Sequence, residues 1–528
     1  MHSEIIPIEP IENTIFDYIV VTPEAFVDHP SFGTAIIARL TEREGNTVAV
    51  MAQPQNADDF TKFGAPKRAF LVSGGVVDSM VNNYTVAKNR RAEDVYSENG
   101  KYGLRPDRAV TVYCKALKKA YPDTPIVIGG IEASLRRFAH YDYWTDSVYP
   151  SILADCGADI LVYGMGEVPL VEILSRLKNN EPLKGIKGTA YLTDKNGLPP
   201  SIKPFTEDGT GNEKYLYCHS FDEVKTDKYK YALSFKLQSE NSNPIVGKGI
   251  VQRHPCNQYL VCEPPCDPIS TAELDKVYAL PFTGKPHPSY RGRIPASEEI
   301  EFSITSHRGC FGGCSYCALT FHQGRMITKR SKVSIIEEAE KLANDPSFKG
   351  YINDVGGPTA NFRNPSCKKQ LKAGVCKNRQ CIGFSPCPNL EVDHSEYFEI
   401  LRELKKIAKV KKVFIRSGIR YDYLLMDKNC KKYLKELCEE HISGQLKVAP
   451  EHTSDKVLQL MNKPSFRVYK EFRALYTEEN ARQGKKQFLV PYLISSHPGA
   501  TLKDAVNVTE YLRSVNYCPE QVQDFYPT

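Results

Sequence analysis

Two stretches of the chain alternate short apolar runs with amphipathic segments, and the stretch between them loses that pattern. Over residues 1–180 the runs Tyr18–Val21, Val48–Met51, Phe70–Val72, Ile126–Ile128 and Ile160–Tyr163 read as strands. Gly33–Glu44 has helical periodicity and is stopped by Gly45. Three of the runs lead into glycine, at Gly74–Gly75, Gly129–Gly130 and Gly164. Strands separated by helices predict a parallel α/β unit, and doubly wound sheets place ligands at such strand-end turns. Most glycines of this kind only let the chain turn tightly into a helix.

Residues 181–300 carry loop-like segments, Asp208–Asn212 and Ser239–Pro244, and prolines at 264, 265, 268, 281, 286 and 288. They predict a connecting region with little structure of its own. A second alternation fills residues 301–528, with strands at Phe302–Thr305, Tyr351–Val355, Val413–Arg416, Leu446–Ala449, Phe488–Ile494 and Val522–Phe525. Ser334 and Glu337 have capping-box spacing at a helix start, with Ile336, Ala339 and Ala343 on one face. Thr501 and Asp504 open a last helix. Six strands with crossover helices predict a partial (βα)6 barrel whose functional loops follow the strand C-termini. The chain stops just after the sixth strand, so a C-terminal extension is expected to be missing.

Composition changes this picture little: 41% hydrophobic and 25% charged residues are ordinary for a globular protein. A net charge of +6 over 528 residues is a mild bias, and the Lys-rich run Glu403–Lys412 reads as a solvated helix face. Met1–Pro10 is acidic and contains proline, unlike a secretory signal. No apolar stretch approaches the ~20 residues of a membrane span. A soluble, cytoplasmic protein is expected.

Sixteen cysteines change it more. In a long chain of this kind they point to metal or redox use rather than disulfides. Cys310, Cys314 and Cys317 stand in a C-x3-C-x2-C run with Gly309, Gly312 and Gly313 around them. Fully ligated iron–sulfur clusters take four thiolates, whereas three leave one iron of a cubane open, as catalytic zinc sites keep a position open. S-adenosylmethionine (SAM) can fill that position through its amino and carboxylate groups. One electron into its sulfonium then breaks a carbon–sulfur bond and releases a 5'-deoxyadenosyl radical. A structural zinc site would favour paired C-x2-C units, and a plain apolar turn would not concentrate three cysteines in eight residues.

C-x3-C-x-aromatic-C after the first strand of a barrel is the signature of the radical SAM superfamily. The chain resembles its YgiQ-type members at His287–Tyr290, Arg308–Cys314, Gly356–Asn361, Ser417–Asp422, Ala449–Thr453 and His497–Gly499, and also at Asp28–Gly33 and Gly130–Arg137. The resemblance covers nearly the whole chain. It implies a 4Fe-4S cluster on Cys310, Cys314 and Cys317, SAM as cosubstrate, an unknown substrate and a reducing partner such as flavodoxin or ferredoxin. It places Tyr316 at the position that contacts adenine. Gly356 and Gly357 match the turn whose backbone receives the SAM amino group, with Asp354 or Thr359 assisting, and the pair is expected to need φ > 0. Arg416 and Ser417 are candidates for the ribose or carboxylate, and Glu451 for the ribose. For each polar residue the bland alternative is a helix cap or a surface ion pair. The N-terminal unit resembles the Rossmann-like, cobalamin-binding-like domain that precedes many radical SAM barrels. The cobalamin motif D-x-H-x-x-G fails here, because Asp28 and His29 are adjacent and Gly33 follows His29 by four. An empty Rossmann-like domain, without cobalamin, is therefore expected.

Cys367, Cys376, Cys381 and Cys387 lie in one long unpatterned loop, from 361 to 394. They hold an auxiliary iron–sulfur cluster or a zinc ion, or are free thiols. Cys256, Cys262 and Cys266 would need a fourth ligand such as His254, depart from the YgiQ-type pattern, and read as non-ligating. The remaining cysteines, at 114, 156, 218, 430, 438 and 518, read as small buried hydrophobes. Two other functional classes compete with the radical enzyme. An electron-transfer protein requires a fourth thiolate near Cys310, which the sequence lacks locally. A zinc-stabilised RNA-binding module requires paired C-x2-C units and a basic aromatic strip, and the thirty tyrosines are instead spread along the chain.

Overall fold

The computed structural model describes residues 5–200, 202–204, 214–520 and 522–527. The predicted loop Asp208–Asn212 lies outside the described residues. The chain forms two compact units, Met1–Ile269 with Val277–Glu301, and Ser270–Lys276 with Phe302–Thr528.

The first unit is built on a ten-stranded sheet. In spatial order its strands are Val48–Ala52, Tyr18–Thr22, Ala69–Ser73, Ile126–Gly129, Ile160–Val162, Thr189–Thr193, Tyr259–Cys262, Gly249–Arg253, Tyr215–Tyr217 and Ile202–Pro204. The first five are parallel. Tyr18–Thr22 is buried at every position, as a strand covered on both faces must be. Ile19 and Val21 pack with Tyr113 on one face, Tyr18 and Val20 with Leu40 on the other. The helices Ala109–Ala120 and Gly33–Arg43 therefore cover opposite sides.

Residues 181–300 are more than a connection. They extend the same sheet, joining it antiparallel at Leu161↔Ala190 and Val162↔Thr189. The strands there are short and flanked by prolines, so their apolar periodicity does not rise above the turn signals.

In the second unit, parallel ladders join Ser303–Thr305 to Asp354–Gly356, Tyr351–Ile352 to Lys412–Val413, Gln445–Glu451 to Phe488–Ser495, and Ile494–Ser495 to Gln523–Asp524. Between the third and fourth positions, Ile415 N–H donates to the His441 carbonyl (3.1 Å) and Ile419 N–H to that of Lys447 (3.4 Å). The helices Lys332–Ala343, Ser395–Lys405, Cys430–Glu436, Phe466–Arg482 and Leu502–Ser514 intervene. This is the partial (βα)6 barrel. Ile304, Ile352, Val413 and Leu446 pack against Ile335, Leu401 and Phe472.

Two predicted details change. The first helix is capped by Ser331, whose hydroxyl accepts from Ser334 N–H, so Ser334 is its third helical residue. The third strand is only Lys412–Val413, because Asp354 takes the N–H groups of Arg416 and Ser417 (2.7 and 3.0 Å) before a ladder can form there. Thr501 and Asp504 do form a capping box. No helix among the described residues is long and apolar enough to cross a membrane.

Candidate metal centre

The first barrel strand runs into Ser306, whose N–H and hydroxyl both donate to the Gly356 carbonyl (2.7 and 3.3 Å). His307–Arg308 then pairs antiparallel with Thr328–Lys329, closing a loop that carries Cys310, Cys314 and Cys317. The loop is pinned by Cys310 N–H to the Gly324 carbonyl (3.0 Å) and by the Ser315 hydroxyl to that of Leu460 (2.8 Å). Phe311, between the first two cysteines, is fully buried and stacks on Phe362 at 3.8 Å. Gly309 and Gly313 have φ of +84° and +59°, conformations that favour glycine.

The three thiols are half-buried. Burial pushes Cys310 up to about 12, reinforced by neighbouring Cys314 and opposed by Arg420. Cys317 is raised too, by burial and then by Cys314. Cysteines bind metal as thiolates, so loading this loop would release protons. The donor set and the glycine-shaped loop thus fit an iron–sulfur cluster.

Arg420 is a buried cation beside the cysteine loop. Its Nε and Nη2 fork onto Asp422 (2.8 and 2.6 Å), and its Nη1 donates to Cys314 Sγ at 3.8 Å. Burial works against its charge, but Asp422, Cys314 and Cys310 outweigh it and hold its pKa well above the usual value. Asn361 fixes its backbone from both sides, accepting from Arg420 N–H (2.8 Å) and donating to the Arg420 carbonyl (3.1 Å). The Asn361 amide also donates to His394 Nε2 (3.0 Å), which leaves Nδ1 to donate to Asp427 (2.8 Å). Arg420, Asp422, His394 and Asp427 carried no assigned role in the sequence. The available signal was an Arg-x-Asp pair directly after a glycine turn, at a strand end that should otherwise be apolar.

The predicted SAM residues divide. Tyr316 and Glu451 meet: the Tyr316 hydroxyl donates to Glu451 Oε1 at 2.6 Å, and Lys463 Nζ lies 3.6 Å from the same oxygen. Glu451 holds φ at +68°, a strained conformation at a strand end. Burial, then Cys314 and Glu451, push the Tyr316 phenol well above its usual pKa. Ser417 gives its hydroxyl to Asp354 (3.1 Å), and Arg416 is exposed. Neither Gly356 nor Gly357 has positive φ. They are glycines for space: a Cβ on Gly356 would lie 2.5 Å from Ser417 Oγ, and one on Gly357 2.5 Å from the His307 carbonyl. The His307 ring is fully buried with Nε2 lacking a partner, and burial, then Arg363, hold its pKa down at about 3.

The second cysteine loop is tied to the first. Arg325 donates to the carbonyls of Cys376 (3.1 Å) and Arg379 (3.0 Å), and Gln370 donates to that of Arg325 (3.0 Å). Cys387 N–H donates to the Cys381 carbonyl (3.0 Å). Burial raises the Cys381 thiol, and Cys367 and Cys376 push it the same way. Among the described residues no three His, Cys, Asp or Glu side chains are placed to share one metal ion. A cubane offers its irons at separate corners, so its thiolates stand farther apart than those of a single ion. Elsewhere, Cys262 is a buried strand residue, Cys256 is exposed, and His254 stacks on Phe221. Cys518 is exposed, not buried.

At the strand ends of the first unit the charged groups serve the fold. Arg105 pairs with Glu24 and Asp94 (both 3.2 Å), and Glu132 accepts from Ser79 and Val110 N–H at two helix starts (3.0 and 3.1 Å). Asp28 pairs with Arg39 at 2.5 Å, and His29 Nδ1 accepts from Ser31 N–H at 3.0 Å.

A family model described as Radical SAM N-terminal matches residues 8–303, and one described as Radical SAM superfamily matches residues 304–512. A UPF0313 protein of Clostridium botulinum (strain Loch Maree / Type A3) is 55% identical over 521 residues, 97% of this chain and 78% of that protein. One of Clostridium perfringens (strain 13 / Type A) is 52% identical over 519 residues, 97% of this chain and 76% of that protein. The fold is similar to the radical SAM methyltransferase TsrM from Kitasatospora setae, solved with cobalamin and a [4Fe-4S] cluster bound. That match has TM-score 0.53 and 14% identity and covers 96% of this chain and 74% of that one. The cobalamin-dependent radical enzyme OxsB, solved with aqua-cobalamin bound, matches at TM-score 0.50 and 9% identity, over 94% and 52%.

Proposed function

The chain belongs to the YgiQ-type (UPF0313) proteins of the radical SAM superfamily, and on that footing we propose that Cys310, Cys314 and Cys317 hold an open 4Fe-4S cluster against which SAM is cleaved. The observation that carries the reading is one glycine-shaped loop presenting three thiols, with the Arg420 guanidinium 3.8 Å from the middle sulfur. When bound, the cluster supplies the single electron that breaks a carbon–sulfur bond of SAM to give methionine and a 5'-deoxyadenosyl radical.

The chain's own residues bind and orient. Tyr316 and Glu451, already hydrogen-bonded to each other, are assigned to the adenine and the ribose. The Gly356 carbonyl is taken by Ser306, so the Gly357 carbonyl is the acceptor assigned to the SAM ammonium group. Arg416 is assigned to the SAM carboxylate, because the Ser417 hydroxyl is committed to Asp354. The substrate that loses hydrogen is unassigned. The electron comes from a donor of the flavodoxin or ferredoxin class, in the cytoplasm.

Cys367, Cys376, Cys381 and Cys387 hold a second metal, an iron–sulfur cluster or zinc. The support is four thiols in one loop that hydrogen bonds from Arg325 and Gln370 tie to the first cysteine loop. Cobalamin is not assigned to the first unit, because the D-x-H-x-x-G spacing fails there and Asp28 is paired with Arg39, although TsrM and OxsB, of similar fold, were solved with it bound.

Anaerobic reconstitution with iron and sulfide, then dithionite and SAM, tests the central reading. The wild-type chain should yield 5'-deoxyadenosine and the Cys310→Ala/Cys314→Ala/Cys317→Ala variant none. Equal yields would overturn it. Iron or zinc remaining in that variant supports the second site, and a folded, metal-free variant removes it.

A further inference from the structure

We propose that Arg420 is a positioning residue that donates to the Cys314 sulfur and makes the bound cluster easier to reduce by one electron. The inference rests on the reading of Cys310, Cys314 and Cys317 as cluster ligands.

The bland alternative is that Arg420 exists to pair with Asp422. Its geometry says more. The fork uses Nε and Nη2, which leaves Nη1 turned to Cys314 Sγ at 3.8 Å. The loop makes room for that nitrogen, since a Cβ on Gly312 would lie 2.5 Å from Nη1. The guanidinium sits over the Phe362 ring at 5.8 Å, and Phe362 stacks on Phe311 of the cysteine loop itself. Asn361 clamps the Arg420 backbone from both sides and is anchored through His394 to Asp427. A side chain held this way cannot withdraw from the sulfur.

A fixed positive charge in a low-dielectric site stabilises the form of a neighbouring group that carries one more electron. Hydrogen bonds to the ligating sulfurs and local net charge are what set iron–sulfur potentials. Asp422 contributes the opposite charge, so the two residues pull in opposite directions. In the reduction step one electron arrives from the external donor and no bond forms or breaks. No proton moves, since Arg420 stays protonated and Asp422 ionised.

The test is a dithionite titration, with mediators, of the reconstituted protein, read on the paramagnetic signal that SAM perturbs, with iron content measured for every variant. Arg420→Gln should lower the reduction equilibrium at least tenfold, about 59 mV for a one-electron couple. Asp422→Asn should shift it upward. The double variant should fall between the two, and Arg420→Lys, which keeps the charge without the fork, should recover part of the loss. An unchanged potential in iron-replete Arg420→Gln, or shifts of the same sign in both single variants, would overturn the proposal. If Arg420→Gln takes up no iron, Asp422→Asn decides alone, and no upward shift counts against the idea. A signal that SAM perturbs and that survives in the triple cysteine variant would instead refute the underlying ligand assignment.

Discussion

Gly74–Gly75 and Gly356–Gly357 each follow or end a parallel strand, yet the two pairs are glycine for different reasons. Gly75 has φ of +88°, and its missing Cβ would meet the Glu24 carboxylate, while that of Gly74 would meet Glu132. Glu24 Oε1 pairs with Arg105, and Glu132 accepts from the N–H groups at two helix N-termini. At Gly357 the missing Cβ would meet the His307 carbonyl, at the head of the cysteine loop. The same dipeptide marks a strand end packed with its own structural charges in one unit. In the other it marks a strand end pressed against a loop that carries three thiols. Glu24 Oε2 in the first unit is also buried without a hydrogen-bond partner, so what separates the two turns is the donor set beside them, carboxylates in one and thiols in the other.

The comparison breaks most severely if the thiols are removed. Cys310→Ala/Cys314→Ala/Cys317→Ala should lose all SAM cleavage while keeping the fold, as circular dichroism and product analysis would show; retained cleavage would put the site elsewhere. Gly357→Val comes next. The valine cannot be placed without moving backbone at His307, at about 1–3 kcal/mol, so iron uptake at the cysteine loop should fall along with stability. Gly75→Ala should cost more than the ~1–2 kcal/mol of its backbone conformation, because its Cβ would also clash with Glu24 Oε1, and should leave iron content unchanged. Full iron in Gly357→Val, measured beside it, would show that the two turns do not differ in this way.

Smaller effects sharpen the contrast. Glu451→Gln removes a charge-assisted acceptor from Tyr316 and from the proposed ribose contact, so SAM affinity should drop about 10- to 100-fold with the cluster intact. Unchanged affinity would make Glu451 purely structural. In the first unit, burial holds His254 at about 4, and its ring nitrogens have no partner. A histidine whose folded pKa lies below its unfolded value adds stability that is present above about 6.5 and is lost as pH falls toward 4. His254→Phe should therefore spare the protein about 1–2 kcal/mol of the loss between pH 6.5 and 5, seen as a flatter dependence of unfolding on pH.

Much of this was legible in the residues. The strands Tyr18–Thr22 and Phe488–Ser495 are long enough for burial to leave a clear apolar run. The cysteine spacing could be read directly, whereas Tyr316 and Glu451 were named from the superfamily resemblance, and the structure brings those two side chains together. Strands between 189 and 262 were missed although two of them are as long as Tyr18–Thr22, because they mix threonine, glycine, glutamine and arginine into the apolar run and lie among prolines and turn residues. Arg420 was missed because its meaning depends on Cys314, 106 positions away. Gly357 was assigned a dihedral role when its real constraint is a carbonyl from another strand, which no local pattern reports.

The most direct test is the low-temperature paramagnetic resonance spectrum of dithionite-reduced protein, recorded with and without SAM. An open cluster on Cys310, Cys314 and Cys317 predicts a signal that changes when SAM is added and is absent from the triple alanine variant. A signal indifferent to SAM in the wild-type chain, or one that responds to SAM without those cysteines, would contradict the account.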